Sequence, residues 1–282
     1  MSHSIPYTNS PRLEEGHTKI WKHWDLPRNE GTRLHRLGDV QICVAVDMAG
    51  EGDILAAMPI YPRMPADTKG KREKPNLSLP PLNDPLWTRF YMGKEDGYDL
   101  VPAYPPLPIC LRLKDPFLLP PGATLEGWVF SRIEASILVN GTAIVSYPLA
   151  IPFKTLYGTP DAGVVCRFEE AEFLATAEPV MSSLNDDPRF VAHPVRLKNT
   201  SAVPVMVSEL CIYGEQLSIF GQESLMISER LLFLFSSSGV RMSLDGQAPL
   251  PPGAITIAKP TVSGEERFIV RSFELFKAIT RI

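Results

Sequence analysis

The pentapeptide Leu119-Pro120-Pro121-Gly122-Ala123 recurs unchanged as Leu250-Pro251-Pro252-Gly253-Ala254, each copy set between apolar segments. Proline at the first corner fixes φ at about −65°, and glycine at the second supplies the positive φ that a type II turn requires. Such a turn joins extended segments, so the repeat predicts two β-rich units. Prolines elsewhere push in the same direction. The chain has 28 of them in 282 residues, and proline interrupts both helix interiors and central strands. Long helices are therefore not expected.

Residues 1–33 are polar and irregular, with Trp21 and Trp24 as the large apolar groups, and read as an N-terminal arm docked on the body. Asp39 to Val46 alternates and is β-branched, and Gly50 to Asp53 turns it into a second strand, Ile54 to Tyr61. Residues 62–87 are crowded with prolines and read as a long surface loop. The clearest local signal is Ala135 to Val139, Asn140-Gly141, then Thr142 to Tyr147, because Asn-Gly favours the type I′ turn that matches strand twist. Beyond the acidic, proline-containing segment Glu178 to Pro188 the texture repeats. Val205 to Tyr213 is a long strand, and Leu225 to Phe235 puts Leu225, Ile227, Leu231, Phe233 and Phe235 on one face. The chain ends in a strand and a short helix around Ile269, Phe273 and Phe276. The expected fold is all-β with few short helices, as two β-sandwich domains: 34–177, carrying the long loop, and 178–282.

A net charge of −4 and a pI near 5.8 remove the broad attraction on which non-specific nucleic-acid binding depends. The basic cluster Lys69, Lys71, Arg72 and Lys74 lies in a polar Pro/Gly-bounded stretch and reads as a solvated loop. No run approaches the roughly 18 apolar residues of a spanning helix, and the N-terminus lacks the order of a signal peptide, so a cytoplasmic protein without a membrane span is expected. Cys43, Cys110, Cys166 and Cys211 are far apart, form no C-x-x-C pair, and read as free buried thiols.

Two groups carry the residue types of a metal site. His17, His23 and Asp25, with His35 nearby in sequence, combine imidazole and carboxylate, as do Asp186, Asp187 and His193. Neither has the spacing of a closed site. There is no G-x-S-x-G elbow and no H-E-x-x-H, and Gly158 to Gly163 opens no helix that could cradle a phosphate. No catalytic residue and no cofactor is implied. Trp87, Tyr91, Tyr98 and Tyr104, interleaved with prolines, are the aromatic anchors that a partner protein could engage.

Phe153-Lys154-Thr155-Leu156-Tyr157-Gly158 followed by Gly163-Val164-Val165-Cys166-Arg167-Phe168 resembles the central motif of the prokaryotic family catalogued as domain of unknown function 432. That family pairs a Lys-x-x-Leu-Tyr-Gly stretch with a Gly-x-x-x-Arg strand. The likeness spans roughly residues 100–215. The resemblance implies a prokaryotic cytoplasmic protein of structural or regulatory type and transfers no catalytic residue. The expectation is a non-enzymatic β-sandwich that binds a protein partner or associates with itself through strand edges and the Pro-rich loop. The alternative is a small-molecule- or carbohydrate-binding sandwich, or a metal-dependent hydrolase using the His/Asp groups.

Overall fold

A computed structural model describes residues 20–29, 31–49, 52–62, 79–93, 95–158, 163–176, 187–222, 225–246, 250 and 253–262. The final helix expected around Phe273 and most of the 62–87 loop lie outside the described residues.

The fold is all-β. Two four-stranded antiparallel sheets make the first sandwich. One contains β1 (His23–Asp25), β6 (Gly97–Ala103), β9 (Glu134–Val139) and β10 (Thr142–Pro148), in that spatial order. The other runs β2 (Thr32–Leu37), β3 (Val40–Ala49), β4 (Gly52–Ile60) and β5 (Thr88–Gly93). Alternation directs Leu37, Val40, Ile42, Val44 and Leu55 inward, where they meet Tyr98, Leu100, Ala135 and Ile137 of the facing sheet. Trp21 and Leu26 are buried in this core, and β1 pairs with β6, so the described part of the expected arm is built into the first sandwich.

In the second sandwich a sheet of order β11 (Phe153–Tyr157), β12 (Val164–Ala171), β7 (Ile109–Leu119), β14 (Val205–Ile212) faces a seven-stranded one. The larger sheet runs β18 (Gly239–Leu244), β17 (Leu231–Ser236), β13 (Phe190–Asn199), β16 (Leu225–Ile227), β15 (Ile219–Gln222), β19 (Ile255–Ala258), with β8 (Thr124–Arg132) also paired to β13. Between them Ile109, Leu111, Leu210 and Ile212 pack on Val195, Leu197, Leu231 and Phe233.

Segments 34–177 and 178–282 are interleaved. β8 pairs with β13 from Thr124↔Lys198 to Arg132↔Phe190, and β7 pairs with β14. The β9–β10 hairpin returns to the first sandwich after β7 and β8 have been laid into the second. The expected 225–235 strand is two strands, broken at Ser228-Glu229-Arg230 where those side chains enter polar contacts.

Candidate functional site

The chain crosses between sandwiches at Ile133-Glu134, and polar side chains gather there. Arg167 on β12 is almost fully buried between two buried carboxylates, with Nε 3.1 Å from Glu169 Oε1 and Nη1 3.6 Å from Glu134 Oε1. Glu169 Oε2 accepts from the Arg132 backbone N–H at 2.8 Å. Burial pushes both carboxyls up, and the Arg167 guanidinium pulls against it. Neither Arg167 Nη1 nor Glu169 Oε1 has a hydrogen-bond partner of good geometry among the described residues. The cluster joins β9 of one sandwich to β12 of the other. Nearby, Arg189 grips Asp187 through two nitrogens and reaches Asp39, in the β2–β3 turn, at 3.0 Å.

A second network runs through the core of the larger sheet. Ser228 Oγ donates to the Glu229 carbonyl at 2.8 Å and also lies 2.8 Å from His193 Nδ1. A hydroxyl has one proton, so Nδ1 must donate to Ser228, and Nε2 is left to accept from Ser131 Oγ, also at 2.8 Å. A serine donating to an imidazole is the arrangement of nucleophile and base. Here Ser131 and His193 are both wholly inaccessible, and burial lowers His193 to about 3, so the pair serves the fold. Tyr104 packs against both main cores, and its buried hydroxyl lies beside Ser228 and Glu229.

The surface of the β11-β12-β7-β14 sheet differs from the rest of the molecule. Leu118, Ile151, Phe153, Leu156, Val165, Val203 and Met206 are all exposed on its strands or their flanks, whereas Leu34, Leu86, Tyr91 and Leu250 are scattered elsewhere. β11 and β14 are its outer strands. The Arg167 N–H bonds Pro108 O on the β7 side, so the peptide groups of Arg167 and Val165 point away from β11. Their register partners Lys154 and Leu156 are then the non-hydrogen-bonded positions of that pair. Both therefore turn their N–H and C=O to the open edge. Phe153 is 65% exposed, Val165 50% and Leu156 45%.

The residues singled out from sequence fall into different surroundings. His23 Nδ1 lies 2.9 Å from Asp99 Oδ1, its cross-strand neighbour, and Asp25 sits opposite Gly97. His35 is buried and bonded to Tyr98 Oη at 2.6 Å. Asp187 is held by Arg189 and His193 by two serines, while His17 and Asp186 lie outside the described residues. No group of three His, Cys, Asp or Glu side chains is placed so that it could hold a metal ion among the described residues. Of the four aromatics, Trp87 and Tyr98 are buried, Tyr104 is partly buried against Gly214, and Tyr91 alone is largely exposed, at 69%. Trp87 packs on Cys43, Ala45 and Met58 and donates to Pro80 O, which explains why an indole sits beside a proline-rich stretch.

Sequence reasoning missed two features. Arg167 lies in the recognised strand, but its partner Glu134 could not be paired with it by any local pattern. Cys110, Cys166 and Cys211 converge in one cluster with Tyr157 and Tyr213, with 3.8 Å between Cys166 Sγ and Cys211 Sγ. Burial pushes the Cys110 thiol up to about 12, whereas the hydrogen bond with Cys211 lowers that of Cys166.

No helix among the described residues is long and apolar enough to cross a membrane. No curated protein and no solved structure matches the chain. The family model described as protein of unknown function DUF432 matches residues 38–277, which take in nearly all of both sandwiches as well as the Lys154 to Arg167 motif. The chain belongs to the DUF432 family.

Proposed function

We propose that the protein is a non-enzymatic β-sandwich whose role is protein interaction or assembly, and that the open edge of β11 is its contact, meeting the same edge of a second copy. The observation that carries this is the coincidence of peptide groups at Lys154 and Leu156 that pair with no described residue and exposed Phe153, Leu156 and Val165. Antiparallel pairing about Thr155 sets Lys154 of one copy opposite Leu156 of the other, so each such pair exchanges both N–H···O bonds and the two lysines do not face each other. Exposed apolar flanks add the burial that a bare edge lacks. A prokaryotic cytoplasm suits the reading, since the four cysteines are free.

Sedimentation velocity over a concentration series tests it with two variants. Leu156→Pro removes an edge-facing N–H that makes no bond within β11–β12, and Leu156→Lys places charge on the contact. The wild-type chain should self-associate, and both variants should sediment as monomers with little change in melting temperature. A wild-type chain that stays monomeric throughout, or a Leu156→Pro variant that associates equally well, would overturn the proposal.

A further inference from the structure

We propose that a shallow pocket on the outer face of the seven-stranded sheet, at the β17–β18 turn, binds a phosphate group. The pocket has a volume of about 250 Å³ and is lined by Thr200, Leu234, Ser236, Ser238 and Arg241. Its walls follow from strand register. Lys198, Leu234 and Arg241 are successive partners across β13, β17 and β18, so their side chains stand in one row on the same face. Thr200 and Ser236 lie two residues beyond Lys198 and Leu234 and continue that face past the row.

Charge selects the ligand class. The carboxylates that share this face are already engaged: Glu126 lies 2.8 Å from Arg196 and 3.4 Å from Arg230, and Asp245 lies 2.7 Å from Arg196. Arg241 and Lys198, both exposed, make no ion pair with a described residue. No acid lines the pocket, so a cation has nothing to bind there. A neutral ligand would draw nothing from either positive charge, whereas an anion would be attracted by both.

The hydroxyls divide the remaining work. Thr200 Oγ1 donates to the Phe235 carbonyl at 3.0 Å and Ser236 Oγ to the Gly239 carbonyl at 3.0 Å, which fixes the walls. Ser238 Oγ, 2.9 Å from Ser236 Oγ, is exposed in the turn and can redirect its proton to an incoming oxygen. A guanidinium fork with an adjacent hydroxyl matches a tetrahedral oxyanion, and Lys198, one strand beyond Leu234 on the same face and outside the lining, adds positive charge beside it. Leu234 gives the floor an apolar area against which the carbon skeleton of an organic phosphate can rest.

The test is a titration of the ¹⁵N-labelled full chain with inorganic phosphate and, separately, with ribose 5-phosphate, followed by amide shifts. Saturable shifts confined to Thr200 and the Ser236 to Arg241 segment are expected. Arg241→Gln should weaken binding about tenfold or more and Lys198→Gln less, with the remaining spectrum unchanged because both side chains are exposed. Tighter binding of ribose 5-phosphate would identify the ligand as an organic phosphate, and equal affinity would identify it as the free anion. Absence of saturable shifts at tens of millimolar, or equal affinity in Arg241→Gln, would overturn the proposal.

Discussion

A histidine whose two ring nitrogens both meet serine hydroxyls inside a sheet-on-sheet core can take up a second ring proton only by reversing one of those bonds and placing an imidazolium where no water reaches it. His193 is so placed, and desolvation holds it at about 3, while His35, under Trp24 and bonded to Tyr98, is held at about 4. In the unfolded chain both titrate near 6.5. Their contribution to stability is therefore complete above that value and is lost as the pH falls toward 4 and then 3, on the order of 3 kcal/mol for His35 and 5 kcal/mol for His193 over the full window of each. Glu134 and Glu169 act in the opposite sense. Their raised carboxyls favour the fold below the ordinary carboxylate range, and that contribution is lost as the pH rises through their folded values. The net slope mixes both effects, and a difference between proteins separates them. Urea unfolding of the wild type and His35→Gln between about pH 7 and pH 4 should show the variant losing less stability on acidification, by up to one proton equivalent in slope. Parallel curves would mean that His35 is not held neutral by the fold.

Turns are the elements whose chemistry is complete within a few residues, which is why they were legible. Val139↔Thr142 closes the β9–β10 hairpin around Asn140 at φ 50° and Gly141 at φ 72°, the expected type I′ geometry. Gly122 at φ 71°, with Ala123 N–H donating to Pro120 O, likewise forms the first repeated turn, and Gly253 has φ 79°. A Cβ at Gly141 or Gly122 would touch nothing within 4 Å, so alanine there costs only backbone strain. Gly141→Ala and Gly122→Ala should each lower the unfolding free energy by about 1–2 kcal/mol. Gly246, equally open but not in the left-handed region, should tolerate alanine with no loss. Shifts of urea midpoint at constant m-value would report all three. What was not legible is which strand neighbours which. The break in Leu225 to Phe235 is set by Ser228 and Glu229 bonding across the fold, and nothing in apolar periodicity records that. The open edge at β11 was equally hidden. Lys154, Thr155 and Leu156 are ordinary strand residues, and nothing in their local pattern records that no further strand pairs with β11 among the described residues.

At the scale of the whole molecule, the two sandwiches are tied together by charge as well as by chain crossings. The expected division near residue 178 rested on composition, but β7 and β8 find their partners, β14 and β13, on the far side of it. At the crossing point between the layers sits the Glu134–Arg167–Glu169 cluster, which joins β9 of one sandwich to β12 of the other. Two carboxylates and one guanidinium withdrawn from water are tolerable only as a set, since removing one member leaves uncompensated buried charge at a cost of about 3–5 kcal/mol. Arg167→Met should carry that cost near neutral pH. Its pH dependence should also be distinctive. Without the guanidinium that now pulls them down, Glu134 and Glu169 rise further, so the variant regains stability on acidification as both take up protons. The double variant Glu134→Gln, Glu169→Gln has no such protons to take up, and its lone buried guanidinium should leave it destabilised at both pH values. Denaturant unfolding at about pH 7 and pH 5 distinguishes these outcomes. If Arg167→Met matched the wild type at neutral pH, or failed to recover relative to it in acid, the charges would not be what ties the two sandwiches together.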